Sequence, residues 1–148
     1  MLRTRQTADV IAEATGLSPK LLPDVCEYDF GEASGLTWEE IGQRYPALLA
    51  AVRARTAEYP SYPGEEGREA FRSRVCNALW QLPREHRDDT VAVVTHAGPI
   101  VVACLEALGL PYRRPAAFAV SNCSLTSLEF EHAGARLLSS NDVCHLKE

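Results

Sequence analysis

Apolar positions along this chain change their spacing several times, and each change marks a change of element. From Leu2 to Gly16 they fall at Leu2, Val10, Ile11 and Ala14, one buried face of a helix that Gly16 is placed to end. Lys20 to Asp24 reads as a short extended segment at a sheet edge, since Pro23 cannot donate to a ladder. Thr37 and Glu40 have capping-box spacing and open a helix through Ile41 and Gln43, which Tyr45-Pro46 interrupts. A second, alanine-rich helix follows from Ala47 to Ala57, and a loop rich in Pro, Gly and Glu occupies 59–67. From Glu69 to Leu82 the pattern predicts an amphipathic helix with Phe71, Val75, Leu79 and Leu82 inward, and with Arg68, Arg72 and Arg74 mostly on a solvated face.

Val91 to Val94 is the sharpest signal. Four consecutive β-branched or small apolar residues predict a strand buried on both faces, and so a parallel sheet. The run stops at His96, Ala97-Gly98 turns, Pro99 suits the first position of a helix, and Ile100 to Leu108 continues it until Gly109-Leu-Pro111. Ala117 to Val120 is a candidate strand. Ser124 to Phe130 then alternates with period two and returns through a turn at His132–Ala135 into Arg136–Leu138, a hairpin. Helices between strands, closed by a hairpin, predict an α/β sandwich with a mixed sheet.

The candidate chemistry follows from where these elements end. Ligands of open α/β sheets bind at strand carboxyl ends facing helix N-termini, where free N–H groups and the helix dipole favour an anion. His96 falls at such a point, and an imidazole there shares protons or takes a covalent group near neutral pH; a ring that only caps the turn is the alternative. Arg3 and Arg5 sit where the dipole disfavours cations, which an anionic partner would offset; solvated surface arginines are the other reading. Residues 25–36 form a loop with two glycines and three carboxylates. In it Glu27 follows Val25-Cys26, a setting that can raise a carboxyl pKa for general-acid work, or else Glu27 is one more solvated acid.

Composition narrows the classes. The 148 residues suit a single domain spanning 1–148, and a net charge of −5 argues against non-specific binding to nucleic acid or anionic membrane. Five cysteines without CxxC spacing indicate neither a disulfide framework nor a zinc site. With no apolar run of membrane-spanning length and no basic leader, the expected setting is cytoplasmic, and no cofactor or metal is expected.

Three stretches resemble the histidine phosphatase superfamily, the phosphoglycerate mutase-like family. Arg3-Thr-Arg-Gln-Thr7-Ala8 is similar to its Arg-Ala-x-x-Thr-Ala helix start, Glu27-Tyr-Asp-Phe-Gly31 through Thr37 to its acidic loop, and Val93-Val-Thr-His96-Ala-Gly98 to its second-histidine motif. Pro63-Gly-Glu-Glu66, Arg74-Val75, Asn122-Cys-Ser124 and Asn141 to Leu146 are similar to further family segments. The resemblance implies a three-layer sandwich with a mostly parallel mixed sheet flanked by helices, and metal-independent phosphomonoester hydrolysis through a phosphohistidine. It implies that Arg3, His96 and the Ala97 N–H bind phosphate and that Glu27 protonates the leaving oxygen, with a small phosphorylated metabolite as substrate.

No Arg-His-Gly motif, which in the family carries the nucleophile, occurs in the sequence. The expectation is therefore a domain incomplete at its N-terminus and inactive without that segment. Two alternatives stand beside it: a catalytically inactive phosphate-ester binding or scaffolding protein, and mutase-type phosphoryl transfer. A nucleotide-binding α/β domain is disfavoured, because no Gly-x-Gly-x-x-Gly or Walker pattern follows Thr95.

Overall fold

The computed structural model describes residues 1–54, 61–112, 118–131 and 134–146. The helices are α1 (Leu2–Thr15), α2 (Trp38–Arg44), α3 (Pro46–Ala54), α4 (Arg68–Glu85) and α5 (Ala97–Ala107), and the strands are β1 (Leu125–Glu131) and β2 (Gly134–Asp142). Two compact units divide them, Met1–Glu27 with Arg72–Glu148, and Tyr28–Phe71.

In the first unit α5 is the core. Its sequence is apolar on every side, and Pro99, Val101, Val102, Ala103, Cys104 and Leu105 are all buried. Removing a valine or leucine side chain of this kind from water stabilises the fold by ~2 kcal/mol. Val75 of α4 is fully buried in the same unit, and β2 packs against α5. β1 and β2 pair antiparallel, with Phe130 opposite Ala135 and Glu131 opposite Gly134, and Phe130 meets Trp80 of α4 edge to face at 5.4 Å. The expected hairpin thus forms, with a return strand longer than Arg136–Leu138; residues 132 and 133 of its turn lie outside the described residues.

Several expectations are corrected here. The apolar stripe of α1 is not buried: Leu2 and Val10 are 72% and 68% exposed, because among the described residues no element covers that face. Residues 20–24 form no strand, and a single 3-10 turn at Pro23–Val25 buries Val25 instead. Val91 to Val94 carries no ladder among the described residues, and Val91 is exposed, since a strand needs a hydrogen-bonded neighbour and none runs beside it. The sheet these residues form is accordingly two-stranded and antiparallel, not the parallel one expected from that run. Phe118 to Val120 is not a strand either, and residue 117 lies outside the described residues. Helix α5 begins at Ala97, which moves Pro99 to its third position, where its missing N–H is still one that lacks an intrahelical acceptor.

The second unit is organised by aromatic rings. Tyr28 meets Phe30 and Phe71 at 5.1 and 5.2 Å, and Phe30 meets Tyr62 at 5.7 Å, all edge to face. The capping box is present: Thr37 Oγ1 accepts from the Glu40 N–H while the Glu40 carboxylate accepts from the Thr37 N–H at 2.7 Å, which starts α2 where the sequence says it should start. α3 stops at Ala54 among the described residues, and residues 55–57 of the longer predicted helix lie outside them.

Gly31 lies in the left-handed region at φ +55°, and a Cβ added there would sit 2.3 Å from both Pro63 O and Gly64 C. Backbone atoms cannot retreat as a flexible side chain can. Gly31→Ala is therefore expected to destabilise the protein by about 2 kcal/mol or more, read as a lower urea midpoint at unchanged slope; an unchanged midpoint would contradict this close approach.

Candidate active site

Three separated stretches of the first unit converge at the start of α5. His96 has extended backbone (φ −123°, ψ 171°) and stands immediately before the helix, where its carbonyl accepts the Ile100 N–H. Its side chain makes no capping hydrogen bond, which disposes of the reading in which the ring only caps the turn. The ring is instead 8% exposed and receives the Arg3 guanidinium, Nη2 to Nδ1 at 3.0 Å.

That contact fixes the tautomer. Guanidinium has no acceptor, so Nδ1 must present its lone pair and the ring proton of the neutral imidazole resides on Nε2. Burial pushes the His96 pKa below its ordinary 6.5; Arg3 acts in the same direction and Glu27 against it. The site at neutral pH therefore holds a neutral imidazole with a polarised Nε2–H, next to a permanent cation.

Glu27 reaches the same place from the acidic loop. Its Oε2 accepts the Gly98 N–H at 3.2 Å, so the carboxylate lies on the first turn of α5, where helix N–H groups lack intrahelical partners. Ala97 is the exposed first residue of that turn, with its N–H at the end of the helix that attracts anions. Arg3, Glu27, His96 and Ala97 are thus gathered at one helix start. Arg5, the other arginine expected at this end, is exposed on α1, and its N–H donates to Met1 O.

Two residues of the site had no individual signal in the hydrophobic pattern. Thr95 donates its hydroxyl to Val25 O, tying the residue before His96 to the segment that carries Glu27. Arg74, expected on a solvated face, donates to the carbonyls of Asp24, Cys26 and Glu27 at 2.7, 2.9 and 3.0 Å. Arg72 is likewise engaged, pairing with Glu106 of α5 at 2.6 Å. Carbonyl acceptors leave no trace in side-chain periodicity; only the likeness of Arg74-Val75 to a family segment marked the position.

The model of the histidine phosphatase superfamily, branch 1, matches residues 1–143. The chain belongs to this superfamily. Among curated relatives of this histidine phosphatase chain, phosphoserine phosphatase 1 of Hydrogenobacter thermophilus is 30% identical over 149 residues, covering 99% of this chain and 69% of the relative. The metal-independent phosphoserine phosphatase of Arabidopsis thaliana is 31% identical over 98 residues, 65% of this chain and 41% of that protein. Among solved structures, the α-ribazole phosphatase from Shigella flexneri superposes with a TM-score of 0.81 at 19% identity, over 96% of this chain and 70% of that one, a likeness of fold. No helix among the described residues is long and apolar enough to cross a membrane.

The lowered pKa of His96 has a consequence for stability. Between the folded value and 6.5 the unfolded chain binds more protons than the folded one, so stability rises with pH through that window and is lost as pH falls through it. Urea midpoints are therefore expected to drop on acidification below about pH 6.5, with a shallower drop in His96→Gln. Equal slopes in the two proteins would show that His96 is not the group responsible.

Proposed function

We propose that this cluster is the phosphoryl-binding and proton-donating part of a metal-independent phosphomonoesterase that acts on a small phosphorylated metabolite, with its nucleophilic histidine outside these 148 residues. The observation that carries the reading is the Arg3–His96 contact, which leaves Nε2–H and a guanidinium as fixed donors beside a helix N-terminus. A dianionic phosphoryl group in transfer spreads charge over its equatorial oxygens, and preorganised donors of this kind are what stabilises it. Membership of the superfamily and the phosphatase names of the relatives support the same reading.

The steps run as follows. A histidine nitrogen attacks phosphorus, the P–O ester bond breaks, and the departing alkoxide takes the proton of the Glu27 carboxyl. Arg3, His96 Nε2–H and the Ala97 N–H hold the phosphoryl oxygens throughout. Water, deprotonated by the Glu27 carboxylate, then attacks phosphorus, the P–N bond breaks, and inorganic phosphate leaves. The 90–95 segment, with no ladder among the described residues, is suited to take its neighbouring strand from the part of the protein that brings the nucleophile.

The test is to express the complete reading frame containing these residues and assay it on p-nitrophenyl phosphate with a chelator present, then quench it with radiolabelled substrate. Turnover with an acid-labile, base-stable phosphohistidine is expected. Turnover that depends on divalent metal, or turnover without a phosphohistidine, overturns the mechanism; phosphate binding with neither turnover nor phosphohistidine makes the chain a binding protein.

A further inference from the structure

Glu27 sits in a segment with no regular secondary structure beyond one 3-10 turn, yet its carboxylate is delivered to a single N–H of α5. Irregular backbone holds a side chain to that tolerance only if its own peptide groups are fixed. Arg74 supplies the fixing. Nη1 donates to Asp24 O and Cys26 O, Nη2 donates to Glu27 O, and the guanidinium is planar and permanently charged, so three carbonyls across four residues are bound to one rigid group on α4. The Thr95 hydroxyl, in the run that ends at His96, donates to Val25 O in the same segment.

We propose that Arg74 is a positioning residue for Glu27: its fork across the 24–27 carbonyls sets where the carboxyl meets the start of α5 and hence the leaving oxygen. Lysine cannot substitute fully, because a point ammonium lacks the fork that spans three acceptors. The catalytic part of this inference rests on the proposed function, while the positional part does not.

The two are separated by two measurements. The first is amide hydrogen exchange by NMR on the 148-residue chain. Gly98 lies in the first turn of α5, where the Glu27 carboxylate is its acceptor, whereas Val102 to Leu105 are protected by the helix itself. In Arg74→Ala the Gly98 amide is expected to exchange about tenfold faster with Val102 to Leu105 unchanged, and Arg74→Lys to fall between. Unchanged exchange at Gly98 with α5 intact overturns the proposal, and so does equal acceleration along all of α5, which would make Arg74 a general stabiliser.

The second measurement is kcat/KM, which reports ester cleavage, in the active, complete protein. Arg74→Ala should slow an alkyl phosphate more than p-nitrophenyl phosphate and should add nothing when Glu27 is already glutamine. A full additional loss in the Glu27→Gln background overturns the inference. Should the complete protein show no activity at all, the proposed function fails while the exchange result at Gly98 still decides the positional claim.

Discussion

His96→Ala is expected to lower kcat of the complete phosphatase by roughly 10²- to 10³-fold, about 2.7–4 kcal/mol of transition-state stabilisation, with a much smaller change in KM. The size follows from what the ring is positioned to do. Nδ1 is committed to Arg3, so the group the imidazole has left to offer is Nε2–H, and in the proposed reaction a donor already held in place needs no reorganisation as charge moves onto the phosphoryl oxygens. Alanine removes that donor and also leaves the Arg3 guanidinium without its nitrogen acceptor. Glutamine should recover part of the loss, because its side-chain amide places an N–H close to where Nε2 stood, whereas asparagine places one nearer Nδ1. Folding is checked on each variant by its urea midpoint, and a folded His96→Ala protein with near-normal kcat sinks the assignment.

The same ring has a pH consequence that separates it from a simple cation. Its pKa is lowered by burial and by Arg3, so the competent neutral form persists through neutrality and is lost only toward acid, where a proton on Nδ1 would face the guanidinium. The expected signature is an acid limb in kcat/KM that becomes less steep in His96→Gln, since an amide does not titrate in this range while the nucleophilic histidine still does.

How much of this was legible depended on whether the signal was local. The capping box at Thr37 and Glu40 needs only four residues, and it forms as the spacing requires. The hairpin and the inward positions Phe71 and Val75 of α4 are equally local statements of period, and both hold. A stripe or a strand is different, because it names a face without naming what covers it. Leu2 and Val10 satisfy the helical period and are exposed, and Val91 to Val94 satisfies every requirement of a buried strand except a neighbour. Arg74 failed for a third reason: an arginine on the polar face of a helix looks the same whether it meets water or the carbonyls of a loop fifty residues away. The motifs around Arg3, Glu27 and His96 named residues that the structure does bring together, but what each offers, a lone pair at Nδ1 or an oxygen on the Gly98 N–H, is visible only in three dimensions.

Glu27→Gln carries the other large effect, and its strength lies in what it leaves alone. The glutamine amide oxygen can still accept the Gly98 N–H, and the backbone carbonyls of residues 24–27 are untouched, so Arg74 and Thr95 keep their acceptors. What is removed is the capacity to give a proton and take it back, together with the charge that opposes the lowering of the His96 pKa. For an alkyl phosphate the departing alkoxide is strongly basic, and loss of general-acid help is expected to cost roughly 10²- to 10⁴-fold in kcat/KM. For p-nitrophenyl phosphate the leaving phenolate is stable without a proton, and cleavage of the ester should slow by less than about tenfold. The contrast, not the absolute loss, identifies the role: a distorted site slows both esters alike, whereas a missing proton donor slows them in proportion to leaving-group basicity. Equal slowing of the two would remove Glu27 from the mechanism and leave it as a carboxylate that only ties its loop to the start of α5.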